Sequence, residues 1–292
     1  MRSRPLRRSR VALFCVSLLL ICGCGPGSNA APKRDPNRFA HWVDQSLPTS
    51  DYVRLWLPPP DRVWNGDDYV AAREALEKIY REEGQRRLPR YQSERSGEVF
   101  ARITSPQNLE MIVDPGYSFG TRARHGALIF ESHARILRLY TDGFPQNQVR
   151  DSELVELFGS GLRQIVATLK ILEHSMPMID KGDPTSESRM NQVNRSKETV
   201  AHFVMTTIFT LREVDDFRVG ERLRLIGYMR ETLPVIVSQL SPSSRAEAMQ
   251  TLETMQSDPK LKDLQPQLGE LTAKLKLAQP ADDQSVGTAQ AK

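Results

Sequence analysis

Cysteine is almost missing from this 292-residue chain, and the three that occur, Cys15, Cys22 and Cys24, all lie in the first 24 residues. The remaining residues can form no disulfide and no cysteine-ligated metal site, so they depend on an apolar core, for which about 270 residues are ample. Reaction motifs are missing as well. The chain has no G-x-x-x-x-G-K, no G-x-G-x-x-G after a strand pattern, no G-x-S-x-G and no H-E-x-x-H. Phe158-Gly159-Ser160-Gly161 resembles a nucleophile elbow only in passing, because it sits inside a helical apolar seam. None of the five histidines has an acid three residues before it, so the Glu-x-x-His pairs of di-iron bundles are unsupported. No cofactor and no metal site is expected. No apolar run is long either: Val11 to Ile21 and Val200 to Leu211 both fall short of the roughly 20 residues that cross a bilayer.

What is present begins at the N-terminus. Arg2, Arg4, Arg7, Arg8 and Arg10 precede the apolar run, which ends in Ile21-Cys22-Gly23-Cys24. A basic start, a short apolar centre and small residues at the end mark a cleaved export signal. The stretch resembles the signal peptide and lipobox of a bacterial lipoprotein precursor: Ile21, Gly23 and Cys24 match, and Cys22 stands where Ala, Ser or Thr is usual. The resemblance covers residues 1–24 only. It implies diacylglycerol attachment to Cys24, cleavage before it, and acylation of the new amine. Stable anchoring takes at least two acyl chains, which such a Cys24 would carry. Gly25, rather than Asp, resembles the outer-membrane sorting pattern of enteric bacteria.

Cleavage would change the charge. The precursor has 40 Lys+Arg against 36 Asp+Glu; residues 1–23 hold five arginines and no acid, leaving 35 against 36. The basic excess belongs to the leader, and nucleic-acid binding loses the basic surface it requires.

Gly25 to Arg38 carries almost no apolar side chains and reads, with Cys24, as a flexible tether with a reach of roughly 20 Å. Residues 39–66 gather all three tryptophans, Trp42, Trp56 and Trp64, around Pro58-Pro59-Pro60. This irregular strap either packs its rings onto the body or presents them to lipid or a partner, which makes the three tryptophans candidate partner-contact residues.

From Asp67 to Leu277 the apolar spacing is helical. A first helix runs from Asp67-Asp68 to Arg86-Arg87, with charges suiting the dipole. Ser93 to Val113 reads as two short helices divided at Ser105-Pro106, with a hairpin as the rival reading. Thr121 to Thr141 and Asp151 to Met176 follow, the latter with Leu154, Phe158, Leu162, Ile165, Leu169, Leu172 and Met176 as its seam. Ser186 to Val219 and Glu221 to Leu240 come next, the second predicted to kink at Pro234. Ser241-Pro242 restarts a helix, for which Ser244 with Glu247 offers a capping box, and Leu261, Leu264, Leu268, Leu271 and Leu275 form a final seam. Ala278 to Lys292 is polar and expected to be disordered. The fold class is therefore all-α: an up-and-down helical bundle of about five to seven helices forming one domain over residues 67–277.

Loose polar groupings complete the inventory. Glu198 and His202 share a helix face and could bind a metal or exchange a proton, or simply mark a boundary. Glu131-Ser132-His133 with His125, and Glu173-His174, are weaker. Glu213, Asp215 and Asp216 amid Arg212, Arg218, Arg222 and Arg224 read as a solvated face. Arg86-Arg87-Arg90 and Arg122-Arg124-His125 could meet anionic lipid or glycan. The function these features imply is a lipid-anchored, non-enzymatic binding or structural module of the envelope, facing the periplasm or the surface. It would reach the membrane through Cys24 and engage an envelope protein partner. The alternative is a small-molecule or lipid carrier with a cavity beside Phe203, Met205 and Phe209; a wall or glycan hydrolase ranks behind both.

Overall fold

The computed structural model describes residues 44–55, 57–58, 62–141, 150–175, 186–213 and 216–277. Cys24, Trp42, Trp56, the leader, the tether and the C-terminal tail lie outside the described residues. The described chain is helical and contains no strand, so the rival hairpin over residues 93–113 is not formed. Contacts divide it into two compact units, one up to Gly161 and one from Leu162, with the border inside a continuous helix; one domain over 67–277 was expected.

The first unit holds α1 (Thr49–Arg54), α2 (Gly66–Glu83), α3 (Gly97–Ile103), α4 (Glu110–Val113), α5 (Phe119–Thr141) and the first part of α6 (Asp151–Ser175). Asn65 caps α2: its side chain accepts from the Asp67 and Asp68 amides, and Asp68 returns a bond to the Asn65 amide. The helix stops short of the expected Arg86-Arg87, because Gly84 takes φ 80°, which a glycine enters without strain. A single 3-10 turn, Gln85–Arg87, follows. α2 lies along α5, burying Ala72, Leu76 and Ile79 from one and Ile129, Ile136 and Leu137 from the other. The approach is close at Gly66, where a Cβ would stand 2.9 Å from His125 Nδ1 and 3.0 Å from Leu128 Cβ. Phe100 joins Tyr91 and Tyr140 edge to face at 5.9 and 5.6 Å.

The second unit continues α6 and adds α7 (Ser186–Thr210), α8 (Val219–Gln239), α9 (Pro242–Gln256) and α10 (Gln265–Leu277). α10 packs on α8 and on α9, and α9 on α7. All five leucines of the expected final seam are buried, two of them in the 3-10 turn Pro259–Leu264 that precedes α10. Two sequence expectations are corrected. α7 ends at Thr210 rather than Val219: tight turns bond the Leu211, Arg212 and Glu213 amides three residues back, and Arg222 reaches the Leu211 carbonyl at 3.4 Å. α8 runs on through Pro234, where the kink was expected. The proline removes the amide that the Arg230 carbonyl would accept from, and Lys274 Nζ donates there instead at 2.9 Å. The cap of α9 is Ser241, not Ser244, because Pro242 sets the first helical position and Ser241 Oγ accepts from the Ser244 amide at 3.2 Å. No described helix is long and apolar enough to cross a membrane.

Candidate functional site

The densest polar chemistry in the first unit lies beneath the segment 84–96, built from residues that the apolar periodicity passes over. Glu153, in the first turn of α6, is 1 % exposed. Its Oε1 accepts from Arg90 Nε at 2.8 Å and from the Tyr91 amide at 2.9 Å. Arg150, just before the helix, donates to the Gln85 carbonyl and places its guanidinium 5.6 Å from the Tyr140 ring centre. The Tyr140 hydroxyl donates to the Pro89 carbonyl at 2.7 Å, and Gln85 Nε2 to the Leu139 carbonyl at 2.9 Å. The Arg90 amide donates to Ser96 Oγ at 2.9 Å.

Low dielectric sets the protonation here. Burial pushes the Glu153 carboxyl above its usual range, opposed by Arg90 and Arg150. Burial first, and Arg90 second, lower Arg150 to about 10, still charged at neutral pH. Two cations against one anion make removal of a partner costly. Chemically, the node ties α5 and α6 to the backbone of an irregular segment, with its carboxylate already engaged by two donors.

His133 on α5 is the second buried titratable group. A carbonyl cannot donate, so its Nε2 carries the proton given to the Leu157 carbonyl at 2.9 Å, and Nδ1 is buried with no hydrogen-bond partner among the described residues. Burial lowers its pKa to about 4. Glu131, two residues away, is exposed, so the Glu131-Ser132-His133 grouping does not open onto one cleft. His125 accepts from the Gly66 amide at 3.2 Å and is committed to the α2 start.

The other sequence candidates separate in the same way. Trp64 is 2 % exposed, stacks edge to face on Tyr69 at 6.0 Å, and donates its amide to Asn108 Oδ1 at 2.9 Å. As a partner-contact residue it is corrected: its ring belongs to the core of the first unit. Glu198 and His202 are both exposed on α7, and Glu173 is exposed on α6. Phe203 and Met205 are buried while Phe209 is half-buried. Neither basic group is a free patch. Arg90 pairs with Glu153, Arg122 donates to the Ile112 carbonyl at 2.8 Å, and Arg124 pairs with Asp67 at 2.8 Å. Arg222 departs from the solvated face expected for it, being 4 % exposed. Among the described residues, no three His, Cys, Asp or Glu side chains are grouped to hold a metal ion. No protein-family model, curated protein or solved structure matches the chain.

Proposed function

We propose that the chain is a bacterial envelope lipoprotein, held to the outer membrane by acyl chains on Cys24 and serving as a non-enzymatic binding or structural module. The observation that carries this reading is the run of five arginines, an eleven-residue apolar core and Ile21-Cys22-Gly23-Cys24. The near-neutral balance that remains after residue 23 supports a partner recognised by shape and apolar area over a polyanion. The contact region is placed on the strap around Trp42 and Trp56, without Trp64. Val53 and Val63, which flank Trp56 in sequence, are 50 % and 44 % exposed and support that placement.

Two measurements on one pair of strains test the reading. Cys24→Ser should move the protein from the membrane fraction to the soluble fraction. Crosslinking in native membranes, with neighbours identified by mass spectrometry, should recover an envelope protein through residues 42–63 in the wild type. Retention of Cys24→Ser in the membrane would refute the anchor.

A further inference from the structure

Of the chain's asparagines, only Asn65 is followed by a glycine. That pair carries its own chemistry. The glycine main-chain nitrogen can attack the asparagine side-chain carbon and close a succinimide ring, and a glycine, having no Cβ, leaves the nitrogen unhindered. A peptide amide is a poor nucleophile while it holds its proton. The rate is therefore set by a base that takes the proton and by donors that meet the oxyanion.

Both kinds of group stand at this pair. The Gly66 amide donates to His125 Nδ1 at 3.2 Å. A ring nitrogen that accepts is the lone-pair nitrogen of a neutral imidazole, whose own proton is on Nε2. His125 is 8 % exposed, and the close approach of α5 that admits only a glycine at 66 is what seats the ring there. Asn65 Oδ1 accepts from the Asp67 amide at 2.9 Å and the Asp68 amide at 3.1 Å. These two bonds cap α2, and both strengthen if the oxygen takes up charge. The Asn65 ψ of −175° leaves the Gly66 nitrogen gauche to the Asn65 Cβ, so rotation about Cα–C brings it over Cγ. The nearby carboxylates are engaged elsewhere: Asp68 with Arg62 and the Asn65 amide, Asp67 with Arg124. That leaves His125 as the base at the Gly66 nitrogen.

We propose that Asn65-Gly66 is a self-modification site, at which the folded chain converts its own asparagine with His125 as the base. The Gly66 nitrogen gives its proton to His125 Nδ1 and bonds to Asn65 Cγ, and the oxyanion at Oδ1 is held by the Asp67 and Asp68 amides. The bond from Cγ to the side-chain nitrogen then breaks. That nitrogen takes the proton from His125 and leaves as ammonia. Water opens the succinimide at either carbonyl, giving aspartate or isoaspartate. The aspartyl product keeps a capping oxygen at the α2 start, where a negative charge suits the helix dipole. The isoaspartyl product has one more main-chain carbon between residues 65 and 66, which moves the cap away from α2.

The full chain, kept folded at neutral pH and sampled over days, tests it. Peptide mapping by mass spectrometry separates the asparaginyl, succinimide, aspartyl and isoaspartyl forms of residue 65. His125→Asn is the companion variant, because its side-chain oxygen can accept from the Gly66 amide but is no base. Folded wild type should convert at Asn65 while Asn108 and Asn194 stay amides, and folded His125→Asn should convert at least tenfold more slowly. Unfolded in guanidinium chloride, the two chains should convert at one common rate. A merely structural role for His125 gives the opposite sign, since loosening α2 would speed conversion. Equal or faster conversion in folded His125→Asn, or a difference that persists after unfolding, would overturn the proposal. So would a folded wild type that keeps its Asn65 amide while the unfolded chain loses it.

Discussion

Removing the Arg90 guanidinium takes from the Glu153 carboxylate, 1 % exposed, the cation hydrogen-bonded to it and leaves it the more distant charge of Arg150. Arg90→Ala should therefore cost roughly 3–5 kcal/mol in denaturant unfolding, whereas Arg90→Met with Glu153→Leu should lose clearly less than the sum of the singles. His133 acts through pH. Its pKa is about 4 in the folded chain against 6.5 for the free side chain. The unfolded chain takes up the proton first as pH falls, so stability drains away from about pH 6.5 down to about pH 4, by about 3 kcal/mol in all, and no further below that. His133→Gln, which keeps a donor for the Leu157 carbonyl, should flatten the pH dependence of unfolding across that window. An unchanged slope would show that His133 is not the group responsible. The Arg90–Glu153 pair could not be picked from the sequence. Glu153 stands among Leu154, Val155 and Leu157 on a helix whose first turns are buried nearly all round, and a periodicity that assigns one face to solvent reads it as surface. Arg90 looked like part of a basic cluster because pairing across 63 residues leaves no local trace.

At the scale of elements the sequence was far more readable. Apolar spacing located α2, α5, α6 and α10, and proline and glycine marked the ends, because burial and backbone geometry are local demands. Two features beyond its reach are places where a side chain from elsewhere serves the backbone. Arg222 closes α7, and Lys274 serves the carbonyl that Pro234 orphans. Lys274→Ala should accordingly cost about 0.5–1 kcal/mol in the natural chain and close to nothing beside Pro234→Ala, which restores the missing amide donor. Asn65→Ala should cost about 1 kcal/mol through loss of the α2 cap, and Gly84→Ala a similar amount, through backbone strain alone since nothing lies within 4 Å of its added Cβ. Thermal unfolding of the two variants checks both.

For the whole molecule, the described chain divides into two compact helical units, and residues 44–55 hydrogen-bond within the first of them. The helical class was written in the sequence; the division at Gly161 was not, because the apolar seam of α6 runs through the border without interruption. The proposed anchor is read from the N-terminus, where Ile21-Cys22-Gly23-Cys24 resembles a lipobox, while the tryptophans offered as a contact surface split once Trp64 proved to be core. One measurement reaches the centre of the account: the mass of the N-terminal peptide of protein isolated from its own membranes. A peptide that begins at Cys24 and carries diacylglycerol and a further acyl chain is the predicted result. An unmodified Cys24, or a chain beginning elsewhere in soluble material, would contradict the account.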